Sequence, residues 1–211
     1  MMLITAKKMT NIFKSTVMIV FTTALLNPSA QAEENSNTFP KVTPVEHIDI
    51  NRYTGKWYEI ARLPMFFQRN CASDVTATYS LEPTKSGEPA KIKVDNQCRK
   101  SNGEIIGSIG QAQPLSVSNS QLQVTFLPKF LRWLPIGQAP YWILKIDESY
   151  TTALVGNPEH KYLWLLSRTP QISDATYQSY IHEAQKQGFD TSKLIRTIQN
   201  NSSLSTQGLV Q

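Results

Sequence analysis

Three histidines, two cysteines and one carboxylate set among apolar residues are the side chains of this 211-residue chain best placed to do chemistry. His47, His160 and His182 are scattered, and there is no C-x-x-C and no Cys/His cluster at zinc-ligand spacing, so no metal site is expected. No G-x-S-x-G, no Ser/His/Asp order and no inward pair of carboxylates appears, so no catalytic residue is assigned. Cys71 acting as a nucleophile would need a basic partner to activate its thiol, and none is assigned. The remaining candidate is Glu59, in "GKWYEIARLP". Strand alternation puts Trp57, Glu59, Ala61 and Leu63 on one face and Tyr58, Ile60 and Arg62 on the other. A carboxylate on that apolar face needs hydrogen-bonding partners or a raised pKa. It reads as a buried anchor, with head-group binding or acid–base work as the alternative. Neither face of the segment is polar, so apolar material is expected on both sides.

The elements that must position these residues follow one another as short alternating segments. Residues 1–32 carry Lys7, Lys8 and Lys14, an apolar run from Val17 to Leu26 and then Ala30-Gln31-Ala32, the layout of a cleavable signal peptide. A polar lead-in (33–49), one domain (50–199) and a flexible polar tail (200–211) complete the expected organisation. Without the leader the chain keeps 18 basic against 16 acidic residues, and no basic stripe with interleaved aromatics points to nucleic acid. In "VTATYSL", "KIKVDNQC" and "QLQVTF" apolar residues recur at every second position. Further strands are read at 105–112, 141–147, 152–155 and 162–167. With the opening segment that makes eight, enough for an all-β, up-and-down antiparallel barrel that removes its own edges. Pro170 and the cap Ser173 then introduce a helix whose Tyr177, Ile181 and Ala184 form one apolar stripe, with Gly188 as its stop. That stripe must lie against the outside of the barrel.

Export places Cys71 and Cys98 in an oxidising compartment. Folding their strands about Thr84 and Lys85 brings the two to one face, where a disulfide would contribute about 3.5 kcal/mol in the chain-entropy view.

"GKWYEIARLP" resembles the G-x-W signature of lipocalins, and "YLWLLSRTP" resembles their last barrel strand with its closing arginine. "DESYTTALVGNPEHKYLWLLSRTPQISD" is especially similar to the bacterial, Blc-like and apolipoprotein D-like branch of that family. The resemblance implies a barrel open at one end, closed at the other by Gly55, Trp57 and Arg168, with the guanidinium stacked on the indole. It also implies reversible binding and transport of a hydrophobic molecule, a fatty acid or lysophospholipid, with no cofactor and no chemical step. By alternation, Leu63, Val75, Tyr79, Val94, Phe126, Trp142, Leu144, Trp164 and Leu166 are expected to line the cavity, with Ala61, Ile92, Leu122 and Val124. The inward small residues Gly110 and Ala112 are expected to leave it room.

The segment "FLPKFLRWLPIGQAP" is longer and more apolar than in typical bacterial relatives. Its Phe130, Trp133 and Leu134, beside Lys129 and Arg132, are expected at the mouth as a lid, a membrane contact or a dimer contact. No cysteine precedes Cys71, so a soluble periplasmic or secreted protein, monomer or homodimer, is expected rather than an acylated one. The alternatives are an enzyme on the same fold acting on a lipid, or a membrane-surface module working through loop 127–138.

Overall fold

The computed structural model describes residues 40–88, 90–132, 134 and 136–200. The leader, Trp133 and residues 201–211 lie outside the described residues. Asp49 accepts hydrogen bonds from the amides of Asn51 and Arg52, starting a single helical turn, α1 (Ile50–Tyr53). Eight strands follow: β1 (Gly55–Arg62), β2 (Ser73–Glu82), β3 (Lys91–Arg99), β4 (Ile105–Pro114), β5 (Gln121–Thr125), β6 (Gln138–Ile146), β7 (Thr152–Gly156) and β8 (Leu163–Ser167). Each pairs antiparallel with its neighbour in sequence, and β8 returns to β1, which also pairs with β2, closing the barrel. Helix α2 (Asp174–Lys186) starts at Ser173, whose hydroxyl accepts from the Thr176 amide. Gly188, at φ 86°, ends it where L side chains are strained. A short β9 (Ile195–Arg196) then pairs with the far half of β1.

Two apolar clusters stand on the two sides of this wall. Inside are Trp57, Tyr79, Ile92, Val94, Leu122, Ile143, Val155 and Leu166; outside, Ile60, Leu154, Leu163 and Leu165 meet Tyr177, Tyr180, Ile181 and Ala184 of α2. The opening strand is therefore apolar on both faces because a core covers each.

Three expected interior residues belong to the outer cluster. β1 carries a bulge: Glu59 pairs with Leu166, but Ala61, not Ile60, pairs with Leu165. The extra residue reverses the alternation, so Ala61 and Leu63 turn to the helix while Arg62, opposite Trp164, turns inward. On β6, Tyr141 sits opposite the interior Leu122, so Tyr141 and Ile143 face inward. Leu144 joins the helix-side cluster and Trp142 packs against it. Four consecutive apolar residues, 141–144, gave no period to choose a face by.

Cys71 and Cys98 form the expected disulfide, with a Cα separation of 5.5 Å. The β2–β3 ladder folds about Ser86 and Gly87, two residues beyond the expected turn, and the bridge forms from Cys71, which precedes β2, to Cys98 on β3.

Past Tyr58, β1 and β2 no longer pair, and residues 197–200 fill the seam. The Thr197 amide donates to the carbonyl of the bulged Ile60, and the Gln199 side-chain amide donates to both Glu59 O and Val75 O at 2.9 Å. Asn200 N donates to Asp74 Oδ1, so the tail expected from residue 200 begins with an anchored residue.

Candidate functional site: the barrel interior

The closed end is built around Trp57. Gly55, at φ 95°, takes a backbone conformation open to glycine, and a Cβ there would stand 3.2 Å from Arg168 Nη1. The Arg168 guanidinium carbon lies 3.8 Å from the Trp57 ring centroid. Its nitrogens donate to the carbonyls of Arg52, Tyr53, Thr54 and Lys56, so the arginine ties α1 and the start of β1 to the end of β8. Burial lowers its pKa from the ordinary arginine range. These three residues close the floor.

Above them lie three tyrosines. The hydroxyls of Tyr53 and Tyr79 each stand 2.8 Å from that of Tyr141. Burial pushes the Tyr79 phenol up to about 12 and raises Tyr53 and Tyr141 well above the usual range. All three are neutral hydrogen-bonding groups in an apolar floor.

Toward the mouth the interior changes character. Arg62, brought inward by the bulge, donates from Nη1 to Glu59 Oε1 at 2.8 Å. Glu59 is 2% exposed and also accepts from Gln68 Nε2 at 2.8 Å and from the Thr197 hydroxyl. Gln68 in turn accepts from Trp164 Nε1 at 3.0 Å. The carboxylate is thus an anchored hub joining β1, the β1–β2 connection and the residue that follows β9, with β8 linked through Gln68. Two buried polar atoms of this upper region have no hydrogen-bond partner among the described residues: Arg62 Nε and Asn96 Oδ1. Asn96 faces inward, between Ala77 and Ser108 on the adjoining strands.

Inward-facing side chains near the floor are buried, whereas Ser108 is exposed and Phe126 is 44% exposed. Gly110 does not leave a void: a Cβ there would stand 2.8 Å from the Phe126 ring, so the glycine makes room for that ring. Tyr79, Val94, Phe126, Trp164 and Leu166 therefore share the interior, Leu63, Trp142 and Leu144 do not, and Val75 is buried within the irregular stretch at the start of β2.

The β1–β2 connection packs beside β8. Phe67 packs its ring 5.5 Å from Tyr162 and 6.4 Å from Trp164, beside Gln68. The loop after β5 goes elsewhere. Arg132 shares a groove with Gln111, Gln123, Thr125 and Gln138, whose side chains alternate with the interior Ala112 and Val124 and so lie on the outer wall. Arg132 Nε donates to Leu127 O, and the Gln138 amide donates to Leu134 O. Phe130 stands 73% exposed and Leu134 is half-buried.

Arg62, Tyr141, Asn96 and Gln68 were missed by sequence reasoning. The first depends on a bulge without sequence signature, the second on an ambiguous apolar run, and the last two on polar residues in segments read as wall or connection. Among the described residues no three His, Cys, Asp or Glu side chains are grouped to hold a metal ion.

The family model for the lipocalin-like domain matches residues 48–199. Temperature-induced lipocalin-1 of Arabidopsis thaliana is 40% identical over 161 residues, covering 74% of this chain and 82% of the relative. Outer membrane lipoprotein Blc of Escherichia coli K12 is 37% identical over 164 residues, covering 76% and 85%. Apolipoprotein D of Macaca fascicularis is 30% identical over 163 residues, covering 74% and 79%. The solved structure of insecticyanin from the tobacco hornworm Manduca sexta superposes with a TM-score of 0.55 at 21% identity, covering 76% of this chain and 85% of that one, a likeness of fold. With its barrel, its Gly55–Trp57–Arg168 closure and its flanking helix, the chain belongs to the lipocalin family.

Proposed function

We propose that this lipocalin is an extracytoplasmic carrier that takes up a single-chain lipid, a fatty acid or lysophospholipid, reversibly through the mouth of the barrel. The observation that carries the reading is the contrast along the interior: a sealed floor of tyrosines and aliphatics, then inward-facing Ser108 and Phe126 open to solvent. An acyl chain entering along Val94, Phe126, Trp164 and Leu166 gains about 0.8 kcal/mol per buried CH₂ before association costs. The unpartnered Arg62 Nε and Asn96 Oδ1 suit a polar head group rather than a plain hydrocarbon. Relatives named outer membrane lipoprotein and apolipoprotein support both the lipid and the location, in agreement with the leader read in residues 1–32. Glu59 is engaged by three partners, which favours an anchoring role over that of a free base.

A second reading concerns delivery. Phe66, Phe67 and Phe130 are exposed on connections at the mouth end, with Arg69 and Lys129 beside them, a composition suited to an anionic lipid surface.

Solvent extraction of the protein purified after expression of the full chain should yield bound lipid. Trp164→Ala should weaken the affinity for a fluorescent fatty acid roughly tenfold, the loss of one large apolar contact, with the thermal midpoint little changed. A barrel that is empty and cannot be loaded, or an affinity unmoved by that change, overturns the reading.

A further inference from the structure

The barrel is not fully laced. β5 pairs with β4 only over Gln111–Pro114, whereas β3 pairs with β4 along its whole length. Residues 105–110 therefore have a ladder on one side, and among the described residues no strand pairs with the other. The direction of their backbone groups is fixed by the neighbouring bonds. Leu115 N donates to Gln121 O, so odd-numbered residues of this strand address the β5 side; Lys100 N donates to Glu104 O, so even-numbered ones address β3. The amides and carbonyls of Ile105, Gly107 and Ile109 thus point to the open edge.

Edges of this kind are ordinarily blunted by charge, proline or cover. The stretch Ile105-Ile106-Gly107-Ser108-Ile109-Gly110 has no charge and no proline. Ile105 is 61% exposed and Ile109 is 48% exposed, both on the outer face, with the exposed Gly107 between them.

We propose that this edge is the homodimer interface, two copies pairing β4 to β4 antiparallel about Gly107. The occupant is chosen by the strand itself. With Gly107 opposite Gly107 of the second copy, Ile105 falls opposite Ile109 of the second copy and Ile109 opposite its Ile105. Every such pair is of the hydrogen-bonded kind, exchanging both N–H···O=C bonds, and every isoleucine on the outer face meets an isoleucine. The glycines at the two-fold axis leave nothing between the strands. The register is self-complementary, as a two-fold interface requires. This assignment is independent of what the interior binds.

The test is sedimentation of the purified protein. The wild type should show a reversible, concentration-dependent dimer, with dissociation on the order of micromolar for so small an interface. Ile105→Lys or Ile109→Glu alone should weaken it about tenfold. The double variant I105K/I109E should recover most of the loss, because the ammonium of one copy then faces the carboxylate of the other, whereas within one strand the two positions are too far apart to pair. Hydrogen exchange at the Ile105, Gly107 and Ile109 amides should slow as concentration rises. A wild type monomeric at about 100 µM, single variants that dimerise as before, a double variant no better than the singles, or exchange independent of concentration each overturns the proposal.

Discussion

Arg168 covers Trp57 and simultaneously binds four carbonyls of the chain that leads into β1, so one side chain both seals the floor and fixes the entry to the barrel. A lysine would keep the charge and the stacking reach but not the planar fork of donors. Arg168→Lys should therefore cost about 2–3 kcal/mol in urea unfolding, from carbonyls left without their donors. An unchanged midpoint would show that the stack alone holds the floor.

The tyrosine floor predicts an alkaline limit. Tyr79 titrates at about 12 in the folded protein, and Tyr53 and Tyr141 are also raised, against a value near 10 in the unfolded chain. The unfolded state then loses protons first, so the stabilisation is complete below pH about 10 and declines as pH rises toward the folded values. Tyr141→Phe removes the shared partner of two buried hydroxyls and should cost about 1–3 kcal/mol at neutral pH. Thermal unfolding at neutral pH and across the alkaline range measures both; a flat alkaline profile would contradict the buried triad.

The buried pair of Glu59 and Arg62 predicts an asymmetry. Arg62→Met leaves a carboxylate enclosed with only Gln68 and Thr197 as donors, and should cost about 3–5 kcal/mol. Replacing both, as R62M/E59L, should cost less than Arg62→Met alone, since no charge is left without its counterpart. Denaturant titration of the two variants decides it, and a double variant worse than the single would mean that the pair contributes net stability.

The legibility of this protein followed the strength of its periodicity. The barrel, its strand order, the outer helix with Tyr177, Ile181 and Ala184, the Cys71–Cys98 bridge and the Trp57–Arg168 closure were all readable, because each has a period, a cap or a motif behind it. The interior lining was readable wherever polar and apolar residues alternate, as at Tyr79, Ile92 and Val94. It failed where both faces are apolar. On β6 the choice between Tyr141 and Trp142 is settled only by the register with β5, a non-local fact. On β1 a single bulge exchanged Leu63 for Arg62, placing a guanidinium where an aliphatic was expected. For the loop after β5, read as a lid, a membrane contact or a dimer contact, composition gave no sign of the bonds that Arg132 and Gln138 make to carbonyls of the loop itself.

The seam between β1 and β2 has a consequence for how the molecule is made. Those strands leave the ribosome well before the Gln199 amide that bridges their backbones and the Thr197 amide on Ile60. The wall cannot finish closing on its upper side until residues 195–200 have been made, so this segment acts as a zip fastener drawn across two staves that precede it. Any nascent or clipped form lacking that segment would carry a slit beside Glu59 and Arg62, through which water reaches the charges that the finished barrel hides.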